Sequence, residues 1–565
     1  MVIRASYMYT RTTGKQTRTP VCARPGPAVS ARKISAMLDV ILKRGLIVDG
    51  MGTTPVRSDV AIAGDRVVRI GDCEDADGVL SLDVDGLVVA PGFIDMHGHS
   101  DEVLLVGPEA ASKLHQGITT EIGGNCGASP APLANTSLHE KQTEMQRHYA
   151  AEPQWADFDG FFRTLEQAQP AINFCCLVGL GTVRSALDLI GSEPLRDDDL
   201  RRADRLVRAA CEQGAIGVSS GLIYPPGNAA DTTELIALAR AAKDAGSPLY
   251  ASHIRSEGDE LVEAVEEALE IGWRSGCAVQ LSHHKASRRR NWGKVHDTLA
   301  RVDRARDRGL DVVVDQYPYK ASSTGLDVIL PKDVNVGTRE DVAARLSDRR
   351  YAAVVAARVE LEYGGRWHEV LVSSVSSEKN RHLEGQTVDD IAKATGRTPV
   401  DAALRLLVDE QLDVGAIFFT MCEDDVRTVL SYRQTCIGSD AVAQATSGIT
   451  ARGVPHPRTF GTFPRVFKRY VRDTGLLSLE EAVRRATFLP ASRLGLRERG
   501  LLATGFLADV VVFDPQRIAD RATYERPQCY AHGIRHVFVN GVQAVRDGDM
   551  TGMRPGRVLR RGRDL

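Results

Sequence analysis

Short apolar runs recur along this chain, and longer amphipathic stretches separate them. Residues 174–178, 215–218, 249–252, 278–281 and 311–314 are runs of strand length. Near-continuous apolar runs suit strands buried on both faces. Residues 199–213, 232–245, 260–275 and 295–308 instead place apolar side chains at helical spacing, with charges between them. Strand and helix alternate about every 30 residues, which implies parallel βαβ units. The number of such units predicts an α/β fold, a closed (β/α)8 TIM barrel.

The two ends have a different texture. Residues 39–42, 45–48 and 509–513 read as strands. Residues 59–70 read as a hairpin around Gly64-Asp65, and 534–545 as a hairpin with an Asn540-Gly541 turn. Neither end is long enough to fold alone. They are expected to pair into one small β-sandwich domain, with 37–92 as its first part and 498–555 as its second. The barrel then spans 93–497. Residues 331–385 break the rhythm and read as an insertion on a βα loop, a lid segment. Residues 556–565 form a tail. Residues 1–36 are rich in Arg, Thr, Pro and Ala, free of acids and without an apolar signal core. They read as a disordered or non-native extension, and Met37 is an alternative start.

Composition narrows the function classes. The net charge of -3 calls for neither nucleic acid nor an anionic membrane surface. No apolar run approaches the roughly 18 residues of a spanning helix. The 10 Cys are scattered without a C-x-x-C pair, which reads as reduced thiols in a cytoplasmic protein. A small-molecule substrate is the expected partner. The oligomeric state stays open.

Candidate chemistry sits where the predicted strands end. His97 and His99 follow an apolar run broken by Pro91-Gly92, and residues i and i+2 on a strand share a face. Both imidazoles can therefore reach one metal ion. Cys126 lies in a Gly-rich loop after the strand 118–123, and a thiolate is a strong zinc ligand. His253 ends the run 249–252, His283 and His284 follow 279–282, and Asp440 follows Cys436-Ile437. Barrel enzymes carry their chemistry at these strand ends. The set fits metal-assisted hydrolysis, with Asp440 as proton carrier and Cys126 as ligand, not nucleophile.

Together these residues resemble the zinc-dependent N-acyl-D-amino-acid deacylases of the amidohydrolase superfamily. The matching pieces include residues 91–101, Gly124-Asn125-Cys126-Gly127, Ser252-His253-Ile254-Arg255-Ser256-Glu257-Gly258 and Ser282-His283-His284-Lys285. Tyr317-Pro318-Tyr319, Ser322-Ser323-Thr324, Gly438-Ser439-Asp440 and His456-Pro457-Arg458 match as well. The resemblance covers about 37–550. It implies that Cys126, His253 and His283 hold a tight zinc, with Cys126 where many superfamily members have a carboxylated Lys. It implies that His97, His99 and Asp440 surround a second, weaker position. Asp440 is then general base and acid. Lys285, Tyr317, Ser323 and Arg458 line the substrate pocket, with Arg255 and Glu257 in or behind it. Choosing His283 over His284 rests on strand register. The chain departs from the family at Gly179-Leu180-Gly181-Thr182, at Ala441 and at Pro225-Pro226-Gly227, which touches substrate choice and no ligand.

The expected activity is hydrolysis of the amide bond of N-acyl-D-amino acids. A cyclic-amide hydrolase of the dihydroorotase or hydantoinase kind, or a D-dipeptidase, is the alternative. Cys126 argues against the cyclic-amide enzymes. An inactive binding relative should have lost ligands, and none is lost.

Overall fold

The computed structural model describes residues 38–74, 76 and 78–565, so the expected extension 1–36 lies outside the described residues. Eight parallel strand positions build the barrel. In chain order they are Phe93–Asp95, Ile118–Gly123, Asn173–Cys176 continued by Val178–Gly179, Val218–Gly221, Leu249–His253, Ala278–Leu281, Val312–Gln316 and Thr435–Ile437. We number them barrel strands 1 to 8. Each pairs with the next. The ring closes where strand 8 meets strand 1: the Asp440 amide donates to the His97 carbonyl at 2.7 Å, and the His99 amide to the Ala441 carbonyl.

The amphipathic stretches form the outer helices Asp197–Glu212, Thr232–Asp244, Leu261–Ser275 and Lys294–Asp307. Helix Leu261–Ser275 turns Ala264, Val265, Ala268 and Leu269 inward. A Cβ on its Gly272 would lie 2.2 Å from a Val279 methyl. The glycine therefore lets the helix approach strand 6. Asp231 caps helix Thr232–Asp244 by accepting from the Glu234 amide at 2.9 Å.

Both chain ends join in one nine-stranded sheet. Strand Val88–Pro91 pairs antiparallel with Val510–Phe513, matching Val89 to Val512. Strand alternation divides the second of these. Val510 and Val512 pack with Val40, Leu42, Val60 and Ile62, while Val511 and Phe513 join the core shared with the barrel. The far edge curls back, and the Val67 amide donates to the Phe506 carbonyl.

The inserted unit is larger than the segment 331–385. It holds a three-stranded antiparallel sheet of Ser322–Gly325, Val414–Phe418 and Val370–Val375. Helices Arg339–Ser347, Arg349–Tyr363, Val388–Thr395 and Pro399–Asp409 surround it, over a core of their own that includes Leu326, Trp367, Val372, Leu407 and Phe418. The unit thus runs across 322–418. Its first strand is Ser-Ser-Thr-Gly, which reads as loop, and its last helix and strand imitate one more barrel unit.

The tail belongs to the barrel. The Phe174 amide donates to the Arg557 carbonyl and the Leu559 amide to the Phe174 carbonyl, so 557–559 lies along strand 3. Leu559 packs with Ile94, Ile122, Cys175, Ile216 and Cys436 in one apolar cluster. No helix among the described residues is long and apolar enough to cross a membrane.

Candidate metal centre

The residues expected at strand ends converge on one cavity. Its volume is about 780 Å³, and His99, Cys126, His253, Glu257, His283, Lys285, Ser323, Asp440 and Arg458 are among those lining it. Cys126 is the hub. Its Sγ lies 3.3 Å from His97 Nε2 and 3.4 Å from His283 Nε2. On the other side of His97, Asp440 Oδ1 lies 3.7 Å from His97 Nε2 and 3.1 Å from His99 Nε2. Three groups of donor atoms close enough to share an ion result: His97, Cys126 and His283; His97, His99 and Asp440; and His253, Glu257 and His283. His97 thus stands in both of the first two. The family resemblance implies Cys126 with His253 and His283 alone.

His253 is buried, and neither of its ring nitrogens has a hydrogen-bond partner. Buried polar atoms rarely stay unpaired, so an imidazole left this way points to a ligand role. His284 differs. Its Nε2 meets Thr298 Oγ1 at 2.8 Å, on the helix side of the barrel wall. Only His283 faces Cys126.

Backbone geometry aims these donors. Cys126, His283 and Asp440 have φ of 53°, 35° and 50°, a left-handed conformation that costs energy for a side-chain-bearing residue. The surroundings enforce it. The His283 amide donates to Asp315 Oδ1 at 2.7 Å, and the Asp440 amide to the His97 carbonyl. Gly98, between the two His, has no space for a Cβ, which would lie 2.1 Å from Glu121 Oε1. Ser100 fixes the same loop, donating to Glu121 from its amide at 2.9 Å and its hydroxyl at 2.8 Å. Gly438 is confined too, since a Cβ there would lie 2.7 Å from that of His97.

The charges are mutually arranged. Burial alone would raise the Cys126 thiol, yet His97 and His283 hold it well below its ordinary value. Burial would likewise raise Asp440, but Arg458 with Nη1 at 2.8 Å, His283 and His99 hold it far down. Against the burial penalty, Asp440 and Cys126 push His99 up to about 9. The site therefore favours thiolate and carboxylate, the ligand forms of Cys and Asp. Around it, Glu257 lies 3.0 Å from His283 Nδ1 and pairs with the Lys285 ammonium. Asp315 lies 3.3 Å from His97 Nδ1. Carboxylates behind ligating imidazoles orient them and raise their basicity.

Residues 81–545 match the model of the amidohydrolase family. This chain belongs to the amidohydrolase family. Among curated relatives, it is 40% identical to the N-acyl-D-glutamate deacylase of Alcaligenes xylosoxydans xylosoxydans, across 93% of this chain and 97% of that one. It is 37% identical to the D-aminoacylase of the same organism, across 93% and 98%. Its fold matches the crystal structure of N-acyl-D-glutamate deacylase from Bordetella bronchiseptica, complexed with zinc and a phosphonate inhibitor that mimics the reaction's tetrahedral intermediate. That likeness has a TM-score of 0.78 at 36% identity, over 93% of this chain and 100% of the other.

The pocket residues of this amidohydrolase separate into two kinds. Lys285, Ser323 and Arg458 line the cavity. Tyr317 is buried beneath them, with the Arg458 guanidinium 4.7 Å and the Lys285 ammonium 5.7 Å from its ring centre. Arg255 is not brought to the cavity. It pairs with Glu267 at 2.8 Å and donates to the carbonyls of Asn228 and Ala230. It braces the loop after strand 4, because a carboxylate on helix Leu261–Ser275 lies within its reach. Tyr224, Asp315 and Glu121 carry no role in the sequence reading. Tyr224 OH meets Thr324 Oγ1 at 2.9 Å and its ring packs on His253. Glu121 could have been noticed, as a charge inside an apolar strand needs a partner.

Proposed function

We propose that this amidohydrolase hydrolyses N-acyl-D-amino acids to a carboxylate and a free D-amino acid, with zinc as its metal. The observation that carries this is Cys126, a half-buried thiol set 3.3 Å and 3.4 Å from two imidazoles, in a chain that spans the full deacylase fold. The donor set fits zinc: thiolate, imidazole and carboxylate are its usual ligands. Cys126, His97, His253 and His283 would hold a tight ion, and His97, His99 and Asp440 would flank a second, weaker position. When bound, zinc supplies an activated water near neutral pH and polarises a carbonyl.

The remaining steps belong to side chains. Asp440 accepts the proton that the attacking water loses. Water adds to the acyl carbon, the C–N bond breaks, and Asp440 returns the proton to the departing nitrogen. Lys285 and Arg458 offer cations to the substrate's free carboxylate, with Tyr317 and Ser323 beside them. Fixing the carboxylate at these cations and the amide at Asp440 leaves the amino-acid side chain one direction, and this selects one hand at the α-carbon.

Removing the metal tests the role of zinc. Dialysis against a chelator is expected to abolish hydrolysis of an N-acetyl-D-amino acid, and zinc added back to restore it. The check is free amine released against metal content per chain. Undiminished turnover by metal-free protein would end the proposal.

A further inference from the structure

A buried ammonium lies behind the metal centre. Lys113 sits on the short helix Ala111–Leu114, fully enclosed. Its Nζ donates to Asp95 Oδ2 at 2.8 Å, Ser439 Oγ at 3.0 Å and the Ala441 carbonyl at 2.9 Å, and lies 3.2 Å from Glu121 Oε2. A buried charge persists only when paired and hydrogen-bonded, and this one has four oxygens around it.

What those oxygens belong to is informative. Ser439 and Ala441 flank Asp440 on both sides. Asp95 stands two residues before His97, and its carboxylate also accepts from the His97 amide, the Ser439 amide and the Ser439 hydroxyl. Glu121 carries the loop between His97 and Ser100. One ammonium thus ties the end of strand 1, the middle of strand 2 and the end of strand 8. These are the elements that set Asp440 against His97 and His99. Asp440 itself is held at a φ of 50°.

We infer that Lys113 is a positioning residue for the deacylation, fixing where the Asp440 carboxylate sits over the scissile amide. It does not line the cavity. The inference rests on Asp440 as the proton carrier. Lys113 keeps the two loops in register, and misplacement of a reacting group by about 1 Å costs on the order of 10²-fold in rate.

The test compares Lys113→Met and Lys113→Ala with the wild type. Lys113→Met is expected to keep its zinc and hold KM within about twofold, while kcat falls about 10²-fold. Lys113→Ala leaves room for a small cation, so added propylammonium should raise its kcat without raising its Tm. With cobalt filling both metal positions, the visible spectrum of Lys113→Met should differ from wild type, which reads the placement of Asp440 at the second position without turnover. If neither variant folds, Ser439→Ala removes one Lys113 acceptor and keeps every charge. It should lower kcat by about tenfold at constant KM. Wild-type kcat and spectrum in these variants would overturn the inference. So would a kcat loss that only follows lost zinc or lost folded protein, because that is a structural role. A wild type inactive on N-acyl-D-amino acids would count against the proposed activity instead, with the cobalt spectra still deciding on Lys113.

Discussion

Cys126→Ala is expected to strip the tight zinc and bring turnover to background. The thiol is the one donor that faces His97 and His283 together, at 3.3 and 3.4 Å. Alanine leaves these imidazoles with no anion between them. Losing an outer partner of a zinc ligand already costs about 10–100-fold in affinity or activity, and losing a thiolate ligand should cost more. The fold should survive, since the loop is held by its neighbours. The Gly127 amide donates to Ser219 Oγ at 3.0 Å, and the Gly124 amide to Asp101 at 2.7 Å. Zinc content of the dialysed variant, measured beside kcat and Tm, checks this. Full activity with zinc retained would remove Cys126 from the centre.

Asp440→Ala has a different signature. Zinc should stay, because Cys126 and the imidazoles do not need Asp440. Turnover should fall by several orders of magnitude: proton transfer alone accounts for about 10²–10⁴, and a metal contact goes with it. The loss should lie in kcat. Arg458 also loses its carboxylate partner at 2.8 Å, so KM is expected to move as well, though less. Zinc content near wild type with kcat near background is the expected pair of results, and near-normal kcat would end the assigned role.

The convergence of the strand-end residues was legible because a barrel gathers its strand ends, and His97, His99, Cys126, His253, His283 and Asp440 come together at or beside one cavity. Their grouping was not legible. That His97 serves two donor groups depends on how the ring is turned toward Cys126, and strand alternation says nothing of ring rotation. Arg255 shows the same limit. An Arg two residues after a strand-end His can face the pocket or the helix behind it, and Glu267, 12 residues on, decides for the helix. The inserted unit was misread in length because Ser322–Gly325 has no strand signal, while Pro399–Asp409 and Val414–Phe418 imitate a barrel repeat. Lys113 was invisible. Nothing in Ala110-Ala111-Ser112-Lys113-Leu114 tells a buried ammonium from a solvated one, since its partners lie outside this stretch, at Asp95, Glu121 and the segment 439–441.

The hand of the substrate is the most direct test of the central claim. Matched N-acetyl-D- and N-acetyl-L-amino acids, across acidic, apolar and basic side chains, should be assayed on one zinc-quantified preparation. Release of free amino acid from D-substrates, with L-substrates at background, is the predicted result. Turnover of L-substrates alone, or of cyclic amides with no N-acyl-D-amino acid accepted, would contradict it.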